Sequence, residues 1–222
     1  MTAPARIIVS QRSARVSVSA EPDAPLVVDG GTYETTGDGA IVVKARSSAI
    51  SIRCAEGTDL VVGTRSGRVE TRGRLGAVQV STSSGSVTID AAREVDVRTA
   101  SGRIDIGRAD GPVRCVCGSG RVTIESAGSV DVSVASGRVE ARDTGDARVH
   151  TTSGRIKVAA RRGSAVEVRA ISGRVDVSLP EGSAPATRLS ARGGRIRNSV
   201  PSGDEGSLDV QTVSGSVTVS WR

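Results

Sequence analysis

A short phrase returns every 17 to 21 residues along this chain and leaves it few ways to fold. It reads Ser-Gly, usually Arg, then Val or Ile, as in Ser136-Gly137-Arg138-Val139. The apolar residue that closes it falls at Val69, Val87, Ile104, Val122, Val139, Ile156, Val175, Ile196 and Val217. Weaker copies carry the series back through Ile50 and Tyr33 to Val16, making twelve. A fixed period of this length is the mark of a repeat architecture in which each copy is one structural unit.

Each copy has the same internal grammar. An alternating segment such as Val95-Asp96-Val97-Arg98-Thr99 leads into the Ser-Gly corner, and a second alternating arm such as Arg103-Ile104-Asp105-Ile106 leaves it. Alternation at period two describes strands with one buried face. Aligned copies give a second apolar column four residues before the corner: Val9, Leu26, Val43, Val62, Val80, Val97, Cys115, Val132, Val149, Val168, Leu189 and Val210. Stacked coils put equivalent residues above one another. The expected fold is therefore all-β, a single-stranded parallel β-solenoid of about twelve short coils, right-handed, with coils about 4.8 Å apart. A β-sandwich also has short strands at regular spacing, but gives no reason for twelve copies in one phase. The weak coils (7–52) keep the grammar of the regular ones (60–219), so one domain over 1–222 is expected. The corner glycines are expected to supply an unusual backbone conformation at a tight bend.

Composition narrows the class. Aromatics are nearly absent, with Trp221, Tyr33 and no Phe, and small or β-branched residues suit narrow β structure. No apolar run approaches the ~18 residues of a membrane span, and residues 1–12 lack a signal-peptide core, so a soluble, cytoplasmic protein is expected. Cys115 and Cys117, two apart on one strand, are poorly placed to bridge each other and read as buried small hydrophobes. With His150 the only histidine, no metal or cofactor set stands out.

The outward columns carry the charge. Five residues before the corner the chain reads Asp96, Arg114, Asp131, Arg148, Glu167, Arg188, Asp209, changing sign at every copy. Stacking would place each carboxylate between cations and fix register, since like charges directly opposite destabilise. One column does not alternate: Arg68, Arg103, Arg121, Arg138, Arg155, Arg174 and Arg195 follow the corner glycines. Glu70, Asp105, Glu140 and Asp176 lie two residues beyond four of them, so one reading is an arginine stack braced by carboxylates. The other is a basic stripe for an anionic partner, in keeping with a net charge of +6.

Function classes separate on these grounds. Polysaccharide-cleaving β-helices need clustered carboxylates, whereas the acids here interleave with cations, and no nucleophile context or phosphate loop is found; an enzyme is not expected. Nucleic acid is disfavoured because neither a duplex-reading helix nor stacking aromatics are present, though salt-dependent phosphate contact is open. A structural or interaction module fits best. The late loops, 179–185 and 200–206, read as idle connections.

The phrase Ser-Gly-Arg-Val/Ile-x-Val/Ile, with Val-x-Val ahead of it, resembles the bacterial β-strand-repeat family labelled putative adhesin, or toastrack, over Ile41 to Val219 and more weakly over Ile7 to Tyr33. The resemblance implies a β-solenoid module without established catalytic residues, linked with cell-envelope stress and membrane or regulatory partners. More distantly the chain is similar to bactofilin-like solenoids, which implies a self-assembling scaffold as the alternative. Solenoid ends expose strand edges unless capped. Either Trp221 plugs the last coil, or Val217 and Val219 form an edge for end-to-end joining, the expectation preferred here. The lead-in, residues 1–6, is too short for a capping helix.

Overall fold

A computed structural model describes residues 6–45 and 49–222; of the lead-in, only Arg6 falls among them. The regular structure is entirely strand: β1 (Arg6–Glu21), β2 (Val27–Asp29), β3 (Gly31–Thr35), β4 (Ile41–Ala45), β5 (Ala49–Ala55), β6 (Asp59–Ala160), β7 (Ala165–Leu179), β8 (Ala186–Asn198) and β9 (Ser207–Trp221). The chain divides into two compact units, Met1–Gly111 and Pro112–Arg222, with β6 contributing to each. β6 stays extended through successive Ser-Gly corners, which explains its length.

In the first unit β1 runs parallel to β4, β5 and β6. Val16 is in register with Ile50 of β5 and with Val69 of β6, whereas sequence order would have placed Tyr33 next to Val16. The Leu26–Tyr33 copy is not a coil of the parallel stack. Its two segments pair antiparallel, β2 on β5 and β3 on β4. It lacks the Ser-Gly corner, and Gly30, at φ 81°, turns the chain between β2 and β3. Tyr33 is consequently half exposed, and Leu26 is only partly buried.

The second unit departs from sequence order at its other end. β9 pairs parallel with β7 on one side and with β8 on the other, so Val217 lies between Val175 and Ile196. Val217 and Val219 are fully buried. They form no joining edge, which corrects the expectation from sequence. Nor is Trp221 a plug of the last coil: it continues β9 beside Leu179, inside the strand order, stays 42% exposed, and its indole N–H donates to the Ser183 carbonyl at 3.3 Å. The pairing is thus mixed and out of sequence order, where a purely parallel run of twelve was expected.

Burial otherwise follows the columns. Val69, Val87, Ile104, Val122, Val139, Ile156 and Val175 are all at most 1% exposed. So are the column partners Val62, Val80, Val97, Cys115, Val132, Val149 and Val168. Burying a Val or Ile side chain is worth roughly 1.5–3 kcal/mol against leaving it exposed, so these columns supply the main drive to fold. The displaced copies are the exceptions, with Ile196 38% exposed and Leu189 half-buried.

Two devices make the corners. Gly137 has φ 142°, and a Cβ there would run into the carbonyl oxygen of Gly120 in the neighbouring strand segment. Two residues before the corner serine, a hydroxyl donates to that serine's own carbonyl: Thr64 to Ser66, Thr82 to Ser84, Thr99 to Ser101 and Thr151 to Ser153, at 3.0–3.2 Å. Cys117 takes the same role with its thiol, 3.3 Å from the Ser119 carbonyl. Cys115 and Cys117 are buried, as expected, whereas nothing in the phrase announces this clasp.

Candidate anion-binding face

Strand alternation sends Val139 inward and therefore Arg138 outward. Every arginine singled out from sequence is exposed: Arg68 and Arg103 in the first unit, and Arg121, Arg138, Arg155, Arg174 and Arg195 in the second. Among the described residues none of them makes an ion pair or a side-chain hydrogen bond. Arginines elsewhere do pair, including Arg74 with Asp110, Arg148 with Glu167 and Arg161 with Asp143.

Among the described residues the carboxylate bracing of the first reading does not form. Glu70 turns to Arg72 at 3.2 Å and Glu140 to Arg142 at 3.2 Å, each on the side away from the row. Arg142 also holds Glu125 at 2.9 Å. The hydrogen bonds that Arg142 donates to Glu140 and then to Glu125 raise its pKa, so both acids are engaged there. Asp105 and Asp176 pair with no arginine of the row among the described residues.

Neighbour order decides how continuous the row is. Gly120, Gly137, Gly154 and Gly173 stack in close backbone contact, so Arg121, Arg138, Arg155 and Arg174 stand side by side. With strands about 4.8 Å apart, this is a line of four unneutralised guanidinium groups. The inserted β9 then interrupts it, because Ser216 lies between Arg174 and Arg195. In the first unit Arg15 stands beside Arg68, a member the weak first copy concealed.

The alternating column forms a different surface. In the second unit a concavity of about 1000 Å³ is lined by Arg114, Asp131, Arg148, Glu167, Arg188 and Asp209, among others. Glu167 accepts from Arg148 at 2.9 Å and lies 2.8 Å from Arg169. The Arg148 hydrogen bond, helped by the charge of Arg169, holds its carboxyl below the usual glutamate range. Acids and arginines share this face, so it has little net attraction for an anion. The late loops are tied down: the Arg162 guanidinium donates to the carbonyls of Glu181 and Gly182 and pairs with Glu205. Among the described residues no three His, Cys, Asp or Glu side chains converge on a metal position, and no helix is long and apolar enough to cross a membrane.

This combination of stacked Ser-Gly corners and Val/Ile columns matches a known family over residues 8–222, namely Toastrack DUF4097. The chain belongs to that family. A crystal structure of a Bacteroides fragilis protein described as a putative adhesin aligns with 97% of this Toastrack chain and 91% of its own, at TM-score 0.50 and 11% identity. A putative adhesin from Parabacteroides distasonis covers 100% and 94%, at TM-score 0.43 and 12% identity. At such identity the likeness concerns the fold alone. No curated protein matches the sequence.

Proposed function

We propose that this Toastrack chain is a non-enzymatic interaction module that docks on an acidic membrane surface through Arg121, Arg138, Arg155 and Arg174. The observation that carries the reading is that these four adjacent guanidinium groups are exposed and unpaired among the described residues, while Glu140 turns to Arg142 instead. A row borne on adjacent strand segments suits a layer of anionic headgroups, where each basic residue near the surface contributes about 1 kcal/mol. The same registers, offset by whole repeats between parallel strands, support coils of a β-solenoid as the rigid carrier of the row. The family resemblance to envelope-stress modules is consistent with such a surface.

Co-sedimentation tests it. The parent should bind vesicles containing phosphatidylglycerol at low salt, bind neutral phosphatidylcholine vesicles poorly, and be released as salt rises. Arg121→Ser/Arg138→Ser/Arg155→Ser/Arg174→Ser should lose most of that binding while melting like the parent. Equal binding by parent and variant would remove the row from the function.

A further inference from the structure

The edges of the two units are finished differently. In the first unit, β2 covers β5 and β3 covers β4, each by antiparallel pairing. In the second unit, β8 ends the strand order, with β9 on one side and no strand on the other among the described residues. Every residue from Arg192 to Ser199 is exposed. Half of the backbone N–H and C=O groups of an edge strand face outward, which makes it a template for another strand.

The chemistry of β8 says which strand. It carries Arg188, Arg192, Arg195 and Arg197 and no acidic residue, and none of the four is ion-paired among the described residues. Two such edges would repel if they met, so the charge works against pairing with β8 of a second copy. Beside these arginines, the apolar columns end on the half-buried Leu189 and the exposed Ile196. Another strand laid on β8 could cover both and place acids opposite the guanidinium groups.

We propose that the open edge of β8 is a docking strand for an extended acidic segment of a protein partner, with acidic residues alternating with apolar ones. Main-chain hydrogen bonds to the edge would supply affinity, and alternate side chains would supply selectivity. The apolar ones would extend the columns that stop at Leu189 and Ile196, and the acidic ones would pair with the arginines of β8. This surface is separate from the Arg121–Arg174 row and does not rest on membrane docking.

A synthetic peptide about as long as β8, with glutamate alternating with valine, is the probe. Fluorescence titration should show binding by the parent and at least about a tenfold loss with Arg188→Glu/Arg192→Glu/Arg195→Glu/Arg197→Glu. Thermal melting of that variant checks its folding; a two-site version, Arg195→Glu/Arg197→Glu, serves if the fourfold one fails to fold. Hydrogen exchange should slow along β8 when peptide is bound, and a peptide with lysine in place of glutamate should not bind. The serine-substituted Arg121–Arg174 variant should bind the acidic peptide like the parent, which keeps this result independent of the vesicle experiment. Binding with unchanged exchange in β8 would reduce the contact to charge attraction and overturn strand addition. Absence of binding by the folded parent, or self-association of the parent that protects β8, would overturn it as well.

Discussion

Glu167 and Asp209 are register partners in adjacent parallel strands, although another copy of the repeat separates them in the sequence. The insertion of β9 beside β7 brings these two acids together and interrupts the alternation of sign. They are not equivalent, because Glu167 is held by Arg148 and Arg169 while Asp209 accepts from Gln211. Glu167→Gln should therefore lower stability by roughly 0.2–1 kcal/mol, the range of exposed ion pairs. Asp209→Asn removes a like-charge neighbour and should leave stability unchanged or slightly raised. Urea unfolding of both variants at low salt checks the ordering, and a larger loss for Asp209→Asn would show that attraction to its register neighbour Arg188 outweighs repulsion by Glu167.

Corner glycine and loop glycine should respond oppositely to alanine. Gly137 has φ 142° and meets the Gly120 carbonyl, so Gly137→Ala should cost at least about 1–3 kcal/mol through strain alone. Gly37 has open space where a Cβ would go, so Gly37→Ala should be close to neutral. Thermal melts of the two proteins should differ by several degrees.

The apolar columns could be read directly because strand alternation and the repeat period act together on every coil. Val139 and Arg138 illustrate it, one buried and one exposed as their positions in the phrase require. Neighbour order could not be read the same way. Near-identical coils offer near-identical edges, so nothing in the phrase tells Val217 to sit against Val175 instead of following Ile196. Local departures did carry a signal: Gly193-Gly194 stands where Ser-Gly is usual, beside arginines without acids, and that copy became the open edge. The arginine row was visible as a column, but which carboxylates would engage it depended on rotamers that turned Glu70 and Glu140 the other way.

The hydroxyl clasp at the corners separates two threonines of one column. Thr99 donates to the Ser101 carbonyl at 3.0 Å, so Thr99→Val should cost about 0.5–1.5 kcal/mol. Thr212 is buried with a hydroxyl that has no partner among the described residues, so Thr212→Val should be neutral or stabilising. Cys117→Thr should be accepted, since a hydroxyl replaces the thiol toward the Ser119 carbonyl. Burial raises the Cys117 pKa, and alkylation of the native protein at neutral pH should accordingly be slow and accelerate on unfolding. Chemical denaturation with mass-spectrometric thiol counting covers all of these; equal costs for the two valine variants would dismiss the clasp.

Asp143 gives the fold a dependence on acid. The Arg161 guanidinium donates to its carboxylate at 2.8 and 3.1 Å, and this bond, assisted by the charge of Arg161 and by Ser126, lowers its pKa below the ordinary aspartate value. A carboxyl whose pKa is lower in the folded state contributes stability that is complete above the unfolded-state value. That contribution disappears as pH falls from the ordinary aspartate value through the depressed one. Arg161→Gln removes the largest cause, so the variant should be less stable than the parent at neutral pH and should lose less on acidification. The two stability curves should converge once Asp143 is protonated in both states. Urea midpoints measured from neutral pH to below the aspartate range would show this convergence. Adding Arg161→Gln to Asp143→Asn should then have much less effect than adding it to the parent, because the pair acts as one unit. Parallel curves across that range would mean the acid sensitivity of the fold arises from other carboxylates, with Glu167 the next to test through Arg148→Gln.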